Sequence, residues 1–418
     1  MVVGTIVGAS IFVQPSEIAR HLDTTRQIML VWIASGTLTL FGAMVCAELA
    51  SAFPVTGGLY VFLRDTFSPL IAFLWGWAMF WTMHSGIVAA IATVFARYAT
   101  RFVDVGSAGT RAIAVGVIVA LSALNYVGVR AGSRVQTLLT AAKLTAITGL
   151  VIAGFALGGS VEPAAREAVS DADVSDFLLA MVAGLFAYGG WHMVTYTAGE
   201  TVMPARTIPA ALVAGVGVVT ACYVALNVVY LTVLPIDTVR TSTRVAADAA
   251  DAVIGVGGSA LLAGLVMVSS LGALTGIVLT GPRVYYSMAH DRLAVAWLGY
   301  VHPRYHTPSH AIVAQGIWSS VLAATGAYQT LFTRVIYTEW LFFALMAAGL
   351  FVLRRRPGYS PPYRTWGYPV VPVLFIGAAV TIVMNQIYRQ PAEALSGLGL
   401  VAVGAPVYYL FHARHRFS

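Results

Sequence analysis

Long apolar runs, separated by short polar stretches, follow one another along almost the whole chain. Each run is close to the roughly 20 mainly apolar residues that an α-helix needs to cross a bilayer. A membrane β-barrel would instead show short segments of alternating polarity. The pattern therefore predicts an all-α polytopic membrane protein with twelve transmembrane helices. The twelve runs cover residues 1–19, 28–53, 69–96, 111–129, 133–157, 177–200, 208–234, 258–281, 309–327, 332–353, 368–388 and 395–412.

The composition agrees with this pattern and excludes a water-soluble globule. Of the 418 residues, 59% are hydrophobic and 10% are charged, whereas a soluble domain has about 25% charged residues. The net charge of +7 is spread over the loops. We therefore expect membrane lipid around the protein and no nucleic-acid partner.

Motifs for catalysis are missing from the sequence. Cys46 and Cys222 lie inside separate apolar runs, and their spacing indicates neither a disulfide framework nor a metal site. The chain has no phosphate-binding loop of the type found in nucleotide hydrolases, and no nucleophile stands beside a base. We expect no enzymatic activity, no cofactor and no bound metal.

The distribution of arginine among the loops predicts the orientation of the chain in the membrane. An even number of spans places both termini on one side of the membrane, and the loops on the cytoplasmic side are normally richer in basic residues. With the N-terminus inside, thirteen arginines fall on inner loops and ten on outer loops. The sequence predicts a multi-pass protein of the plasma or inner membrane with cytoplasmic N- and C-termini.

Two of the runs contain clustered glycines where a helix favours alanine or leucine. These are 4-GTIVGASIF-12 in the first run and 184-GLFAYGGWHM-193 in the sixth. Glycine inside a helix costs about 1 kcal/mol, and glycine-interrupted segments at matching positions in two halves indicate a transporter binding site. The spacing of five runs suggests a repeat of five. The alternative is close packing of helices through small residues.

Lys143, the only lysine in the chain, lies inside the fifth run. It follows Ser133 by ten residues, which is about 15 Å at 1.5 Å per helical residue. A charge in the middle of a bilayer costs at least about 2.5 kcal/mol on insertion scales. We expect its ammonium to face the bundle interior and to bind carbonyl or hydroxyl oxygens. A side chain that snorkels to the interface is the alternative.

Four other titratable residues stand out within or at the ends of the runs. Glu48 and Glu200 end the second and sixth runs, where solvation or pairing with a loop arginine explains them. Glu339 lies deeper, in the tenth run, and is either a proton carrier or one half of a structural pair. His192 follows the second glycine cluster and is a candidate for proton coupling, although a buried histidine is more often a packing residue.

The segment 125-NYVGVRAGSRVQTLLTAAKL-144 resembles the junction of the fourth and fifth spans in the L-type amino-acid transporter light chains and their bacterial relatives. These proteins belong to the amino acid–polyamine–organocation superfamily. The two glycine clusters are similar to the broken helices of that family. Further similar segments follow in the same order along the chain, at 47-AELASAFPVTGGLYVFLRDTFSP-69, 268-VSSLGALTGIVLTGPRVYYSMAHD-291 and 361-PPYRTWGYPVVP-372.

The resemblance implies a leucine-transporter-like fold. Residues 1–157 would form a first repeat of five spans, and residues 177–353 an inverted second repeat. Residues 368–412 would add two accessory helices. Substrate would bind at the breaks in spans 1 and 6 and reach each side by alternating access.

The resemblance also implies the residues that bind an amino-acid substrate. Backbone N–H groups in the first break would hold the carboxylate, and carbonyls in both breaks would hold the amino group. The residues after the second break would shape the side-chain pocket. The implied substrate-binding residues are Thr5, Ile6, Gly8, Ala9, Ser10, Ile11, Phe186, Ala187, Tyr188, Gly189 and Trp191.

Lys143 matches a family lysine whose ammonium takes the place of a bound sodium ion, and Ser269 or Ser270 would be its partner on the eighth span. Three features depart from the family pattern. Ala9-Ser10 replaces Ser-Gly in the first break, and Thr275 replaces an asparagine. The loop 97-RYATRFVDVGSAGT-110 has no cysteine where the animal light chains have one, so we expect no disulfide-linked heavy chain.

These features together predict a sodium-independent transporter of neutral L-amino acids that works as an exchanger or with proton coupling. A permease for cationic amino acids or polyamines is the alternative within the same fold. A carboxylate in the pocket would favour it, and the sequence places none beside either break. An amino-acid sensor that moves no substrate is an alternative from another class, but the chain has no large soluble signalling domain.

Overall fold

A computed structural model describes residues 1–157, 172–242, 244–255 and 257–416. Within these ranges the regular structure is helical throughout, without strands. The α-helices are α1 Val2–Ile6, α2 Gln14–His21, α3 Thr25–Ala52, α4 Leu59–Thr66, α5 Pro69–Ala78, α6 His84–Ala99, α7 Gly106–Val127, α8 Val129–Leu157, α9 Val174–Ala187, α10 Pro204–Val233, α11 Ile236–Thr241, α12 Val245–Ile254, α13 Gly258–His290, α14 Ser309–Thr325, α15 Tyr328–Arg354, α16 Val370–Arg389, α17 Pro391–Ala402 and α18 Gly404–Arg416.

Ten helical segments in the described part of the chain are long and apolar enough to cross a membrane. They coincide with ten of the twelve runs. The first run is divided into α1, a 3₁₀ turn at Ser10–Phe12, and α2, each too short to span. The ninth run corresponds to α14, which has 17 residues. The protein is therefore a multi-pass helical membrane protein.

Local sequence signals explain where several of these helices begin. Thr24 and Gln27 form a capping box that starts α3, in which each side chain accepts a hydrogen bond from the other residue's backbone. Ser68 accepts from the Ile71 N–H ahead of α5, with Pro69 in the first turn. Asp173 and Asp176 form a second capping box at the start of α9.

The centre of the bundle lies around α1 and the end of α9. The α1 helix contacts α8, α10 and α13, and α3 packs along α10. Small residues permit these close approaches, as is common between membrane helices. A Cβ added at Gly4 would lie 2.4 Å from Thr140 Oγ1, and one added at Gly276 would lie 2.2 Å from Gln136 Nε2.

Two ion pairs connect parts of the bundle that are distant in sequence. Arg354 at the end of α15 binds both carboxylate oxygens of Glu48, at 2.9 and 2.6 Å, and the Thr365 N–H donates to the same carboxylate. Glu48 is 0% exposed. Arg283 on α13 binds Glu200 in the same two-bond manner, at 3.0 and 3.2 Å. Both glutamates thus have an arginine partner, but each arginine belongs to a helix and not to a loop, as the sequence analysis had considered.

Candidate functional site

The first break follows α1. Val7, which ends the helix, has φ −71° and ψ 88°, so the chain leaves the helical path there. In the part of the chain that the structure describes, the N–H groups of Gly8 and Ala9 donate to no backbone carbonyl. Consecutive free N–H groups beside a short helical turn form a suitable site for an anion.

The second break follows α9. Gly190 has φ 96°, a left-handed conformation that favours glycine, and a 3₁₀ helix continues from Trp191 to Glu200. The two breaks touch each other directly. Thr5 Oγ1 lies 3.2 Å from the Gly190 carbonyl oxygen and shares its one proton among this carbonyl and those of Met1 and Val2. A Cβ at Gly190 would lie 3.3 Å from the Thr5 carbonyl oxygen.

Tyr223 on α10 joins the two breaks through one hydroxyl group. Its oxygen lies 3.1 Å from the Ile6 carbonyl oxygen and 3.2 Å from the Ala187 carbonyl oxygen, and its proton is shared between them. Both carbonyls belong to helix ends that have lost their normal partners. The sequence analysis missed Tyr223, because a single tyrosine in an apolar run gives no sign of its partners.

The Lys143 ammonium lies against the first break. It donates to the Gly4 carbonyl at 2.8 Å and to the Val7 carbonyl, and the residue is 0% exposed. Close packing leaves little room for another position, because a Cβ at Gly272 on α13 would lie 3.1 Å from Nζ. The ammonium faces the bundle interior, and the side chain does not snorkel to the surface.

Of the two serines predicted beside Lys143, the structure places one at the break. Ser269 Oγ lies 3.2 Å from the Val7 carbonyl oxygen and 3.0 Å from the Gly8 carbonyl oxygen, and shares its one proton between them. Ser270 Oγ has no hydrogen-bond partner among the described residues, because the next position on α13 points away from the break. Thr275 bonds within its own helix, to the Leu271 carbonyl at 2.7 Å.

A cavity of about 220 Å³ lies beside the two breaks. It is smaller than the pockets of roughly 300–1,000 Å³ that hold drug-sized ligands, so it suits a small metabolite. Most of its lining is apolar. Eight of the eleven predicted substrate-binding residues line it, namely Thr5, Ile6, Gly8, Ala9, Ser10, Phe186, Gly189 and Trp191.

Three predicted residues do not line the cavity. Ile11 is fully buried in the core. The Tyr188 side chain points away, since its hydroxyl donates to the Trp32 carbonyl at 3.1 Å. Ala187 contributes a carbonyl that already accepts from Tyr223. The sequence locates the second break correctly, but the direction of each side chain depends on the turn that Gly190 makes.

Glu339 lies at the cavity, and the fully buried His192 lies beside it. The Glu339 side chain lines it, and its Oε1 is 3.6 Å from His192 Nε2. The His192 ring is enclosed by the rings of Trp75, Trp191, Tyr196 and Phe343, with centroid distances between 4.9 and 6.0 Å. Across the described residues, no group of three or more His, Cys, Asp or Glu side chains could hold a metal ion.

Two interrupted helices beside a small cavity inside a multi-pass helical bundle define a membrane transporter rather than an enzyme. Comparison with known families gives the same answer. The chain belongs to the amino acid permease family, which matches residues 1–403. The family resemblance inferred from the sequence is therefore confirmed.

Curated relatives match over almost the whole chain. The serine/threonine exchanger SteT of Bacillus subtilis is 28% identical over 98% of this chain and 94% of its own length. The human b(0,+)-type amino acid transporter 1 is 31% identical, over 98% of this chain and 86% of its own length. The human large neutral amino acids transporter small subunit 2 is 29% identical, over 98% of this chain and 78% of its own length.

Proposed function

We propose that the protein is a sodium-independent secondary transporter of neutral L-amino acids, working by alternating access as an exchanger. The contact of the Lys143 ammonium with the carbonyls of Gly4 and Val7 supports this proposal most strongly. A fixed cation at the first break satisfies the carbonyls that a bound sodium ion would otherwise coordinate. Transport then needs no sodium gradient.

The two breaks supply the chemistry that an amino-acid backbone needs. The N–H groups of Gly8 and Ala9 suit the carboxylate, and the helical turn that follows adds a favourable dipole. The carbonyl oxygens of Thr5 and Phe186, residues that line the cavity, suit the amino group. Ile6 has the same role, because a carbonyl oxygen that accepts from Tyr223 keeps a second lone pair.

The apolar lining favours neutral substrate side chains. Ile87, Ile91 and Val94 of α6 face the cavity, with Trp340 and Phe343 of α15. Relatives named for the exchange of serine and threonine and for large neutral amino acids support the same substrate class. Proton coupling through His192 and Glu339 is the alternative to obligatory exchange, because Glu339 lines the cavity and His192 lies 3.6 Å from its carboxylate.

The proposed architecture is a leucine-transporter-like bundle with twelve spans. Residues 1–157 and 177–353 form the two inverted repeats, each starting with an interrupted helix, and residues 368–412 form the accessory helices. Both termini lie in the cytoplasm, and the protein resides in the plasma or inner membrane. Neither Cys46, which is buried in α3, nor Cys222, which lies on α10, falls in the 97–110 loop, so we expect no disulfide-linked heavy chain.

Exchange in proteoliposomes tests the proposal. Vesicles loaded with unlabelled L-serine or L-leucine should take up the labelled amino acid, and empty vesicles should take up far less. Replacing external sodium by choline should leave the rate unchanged. Strict dependence on sodium would contradict the role of Lys143, and binding without any uptake would favour a sensor. Equal uptake by loaded and empty vesicles, driven by an inward proton gradient, would establish coupling in place of exchange.

A further inference from the structure

A second cleft, separate from the substrate cavity, lies where α7 ends and α8 begins. Its volume of about 660 Å³ is in the range of pockets that hold drug-sized ligands. The described residues that line it are Val127, Gly128, Val129, Arg134, Arg304, Tyr305 and His306. None of these seven residues lines the cavity beside the breaks. The proposed exchange therefore assigns no role to this cleft.

The two arginines of the cleft lack the acidic partners that other arginines of the protein have. Arg283 and Arg354 each bind a glutamate carboxylate. Arg134 and Arg304 are exposed, and neither forms an ion pair with an acid in the part of the chain that the structure describes. The described lining of the cleft contains no acidic side chain. The cleft therefore carries uncompensated positive charge and attracts an anion.

The loop that carries Arg304 is fixed to the end of α7. Thr307 Oγ1 donates to the Tyr126 carbonyl at 2.8 Å, and Thr307 is fully buried. His302 Nδ1 accepts from the N–H groups of Arg304 and Tyr305, at 3.2 and 3.3 Å. The Tyr126 ring packs against the rings of His302 and Tyr305, with centroid distances of 5.5 and 5.9 Å. Because the loop is already ordered, a ligand loses little affinity to the cost of ordering it.

The cleft lies at the depth of lipid headgroups. The α7 helix and residues Gly132–Leu157 of α8 are each long and apolar enough to cross a membrane, so the junction between them lies at a membrane surface. Val127, the last residue of α7, is 55% exposed and places an apolar side chain beside the charged ones. In the orientation that the arginine distribution predicts, this surface faces the cytoplasm, where the leaflet carries anionic lipids.

We propose that this cleft binds the phosphate headgroup of an anionic phospholipid. Guanidinium groups match phosphate oxygens in bidentate geometry, and basic pockets between spanning helices suit such headgroups. Arg134 on α8 and Arg304 in the loop before α14 bind the phosphate, and the His306 imidazole supplies a further donor. A free phosphate ion shares the charge but has no apolar part to contact Val127, so the lining favours the lipid.

Lipid binding by the full chain in an uncharged detergent tests the proposal. In native mass spectrometry, the wild type should retain dioleoylphosphatidylglycerol more strongly than the zwitterionic dioleoylphosphatidylcholine. Arg134→Gln/Arg304→Gln should lower the affinity for phosphatidylglycerol by about tenfold or more and leave that for phosphatidylcholine unchanged. The matched control is Arg206→Gln/Arg292→Gln, which removes the same charge from two exposed arginines outside the cleft and should retain the wild-type affinity.

A photoactivatable phosphatidylglycerol locates the lipid on the wild type, without any variant that could fail to fold. It should label peptides that contain Val127 or Tyr305, and labelling confined to other segments would overturn the proposal. Equal affinity for the two lipids, or equal weakening in the control variant, would also overturn it. Displacement of the lipid by inorganic phosphate at a similar concentration would identify a site for free phosphate, and the lipid assignment would be wrong. Neither measurement uses amino-acid exchange, so failure here leaves the proposed function in place.

Discussion

Lys143 and Glu339 are both buried charges near the same cavity, but their surroundings differ. The Lys143 ammonium donates to fixed carbonyls at Gly4 and Val7, and helix packing around Gly272 holds it in place. Glu339 lines the cavity, and its ion-pair contact among the described side chains is with His192, at 3.6 Å. The comparison shows that two buried ionisable side chains near one cavity can differ in how completely the surrounding protein satisfies them.

Replacement of Lys143 tests the first half of this comparison and should have the largest effect. Lys143→Ala leaves the Gly4 and Val7 carbonyls buried without their donor, and each lost charged hydrogen bond is worth about 1.5–3 kcal/mol. Exchange of every substrate should fall by about 100-fold or more. Proteoliposome assays should be paired with size-exclusion chromatography to show that the variant still folds.

Arg134→Ala is the control for Lys143→Ala, because Arg134 is an exposed basic residue on the same helix, α8. It should exchange like the wild type. Wild-type exchange kinetics in Lys143→Ala would show that transport does not require the lysine.

Tyr223→Phe tests whether the two breaks act as one site. Loss of the hydroxyl removes the bond shared by the carbonyls of Ile6 and Ala187, at a cost of about 1–1.5 kcal/mol. We expect the kcat/KM for L-leucine and L-serine to fall together, by about five- to tenfold. A loss confined to one substrate would mean that Tyr223 contacts the substrate side chain instead.

Tyr230→Phe provides the control for that experiment. Tyr230 is also fully buried on α10, but its hydroxyl has no hydrogen-bond partner within the described residues. This variant should retain wild-type exchange of both substrates.

Replacing each of two adjacent serines in turn should give a smaller effect on exchange, and it compares two neighbouring hydroxyl groups directly. Ser269→Ala removes a donor from the carbonyls of Val7 and Gly8 and should lower exchange by about three- to fivefold, equivalent to roughly 0.6–1 kcal/mol. Ser270→Ala removes a hydroxyl without a partner among the described residues and should change exchange by less than about twofold. The reverse ranking in initial-rate measurements would mean that Ser270 is the residue coupled to the break.

His192→Gln should have the smallest effect and the most selective one. Without the imidazole, Glu339 loses the titratable partner that lies 3.6 Å away, so any uptake driven by an inward proton gradient should be lost, while exchange of L-leucine and L-serine stays at the wild-type rate. His84→Gln is the control, since His84 is a second buried membrane histidine and pairs with no acid among the described residues. Equal loss of both substrates in His192→Gln would point to a packing role alone.

The sequence was sufficient for the helical class and for the positions of both breaks, because hydrophobic length and clustered glycine are local signals. The depth of Lys143 could also be calculated from helix rise. The sequence could not decide which of Ser269 and Ser270 reaches the first break, because that depends on how α13 is rotated about its axis. The Tyr223 bridge and the pairing of Glu339 with His192 join residues far apart in sequence, and only the packing of the helices brings them together.

Any movement that separates α3 from α15 must break the ion pair between Glu48 and Arg354. An exposed pair such as Arg20 with Glu17 on α2 is weakened by dissolved salt. Glu48 is completely buried, so mobile ions reach its carboxylate poorly and screening offers little help in separating the charges. The strength of this contact should therefore be nearly independent of the ionic strength outside.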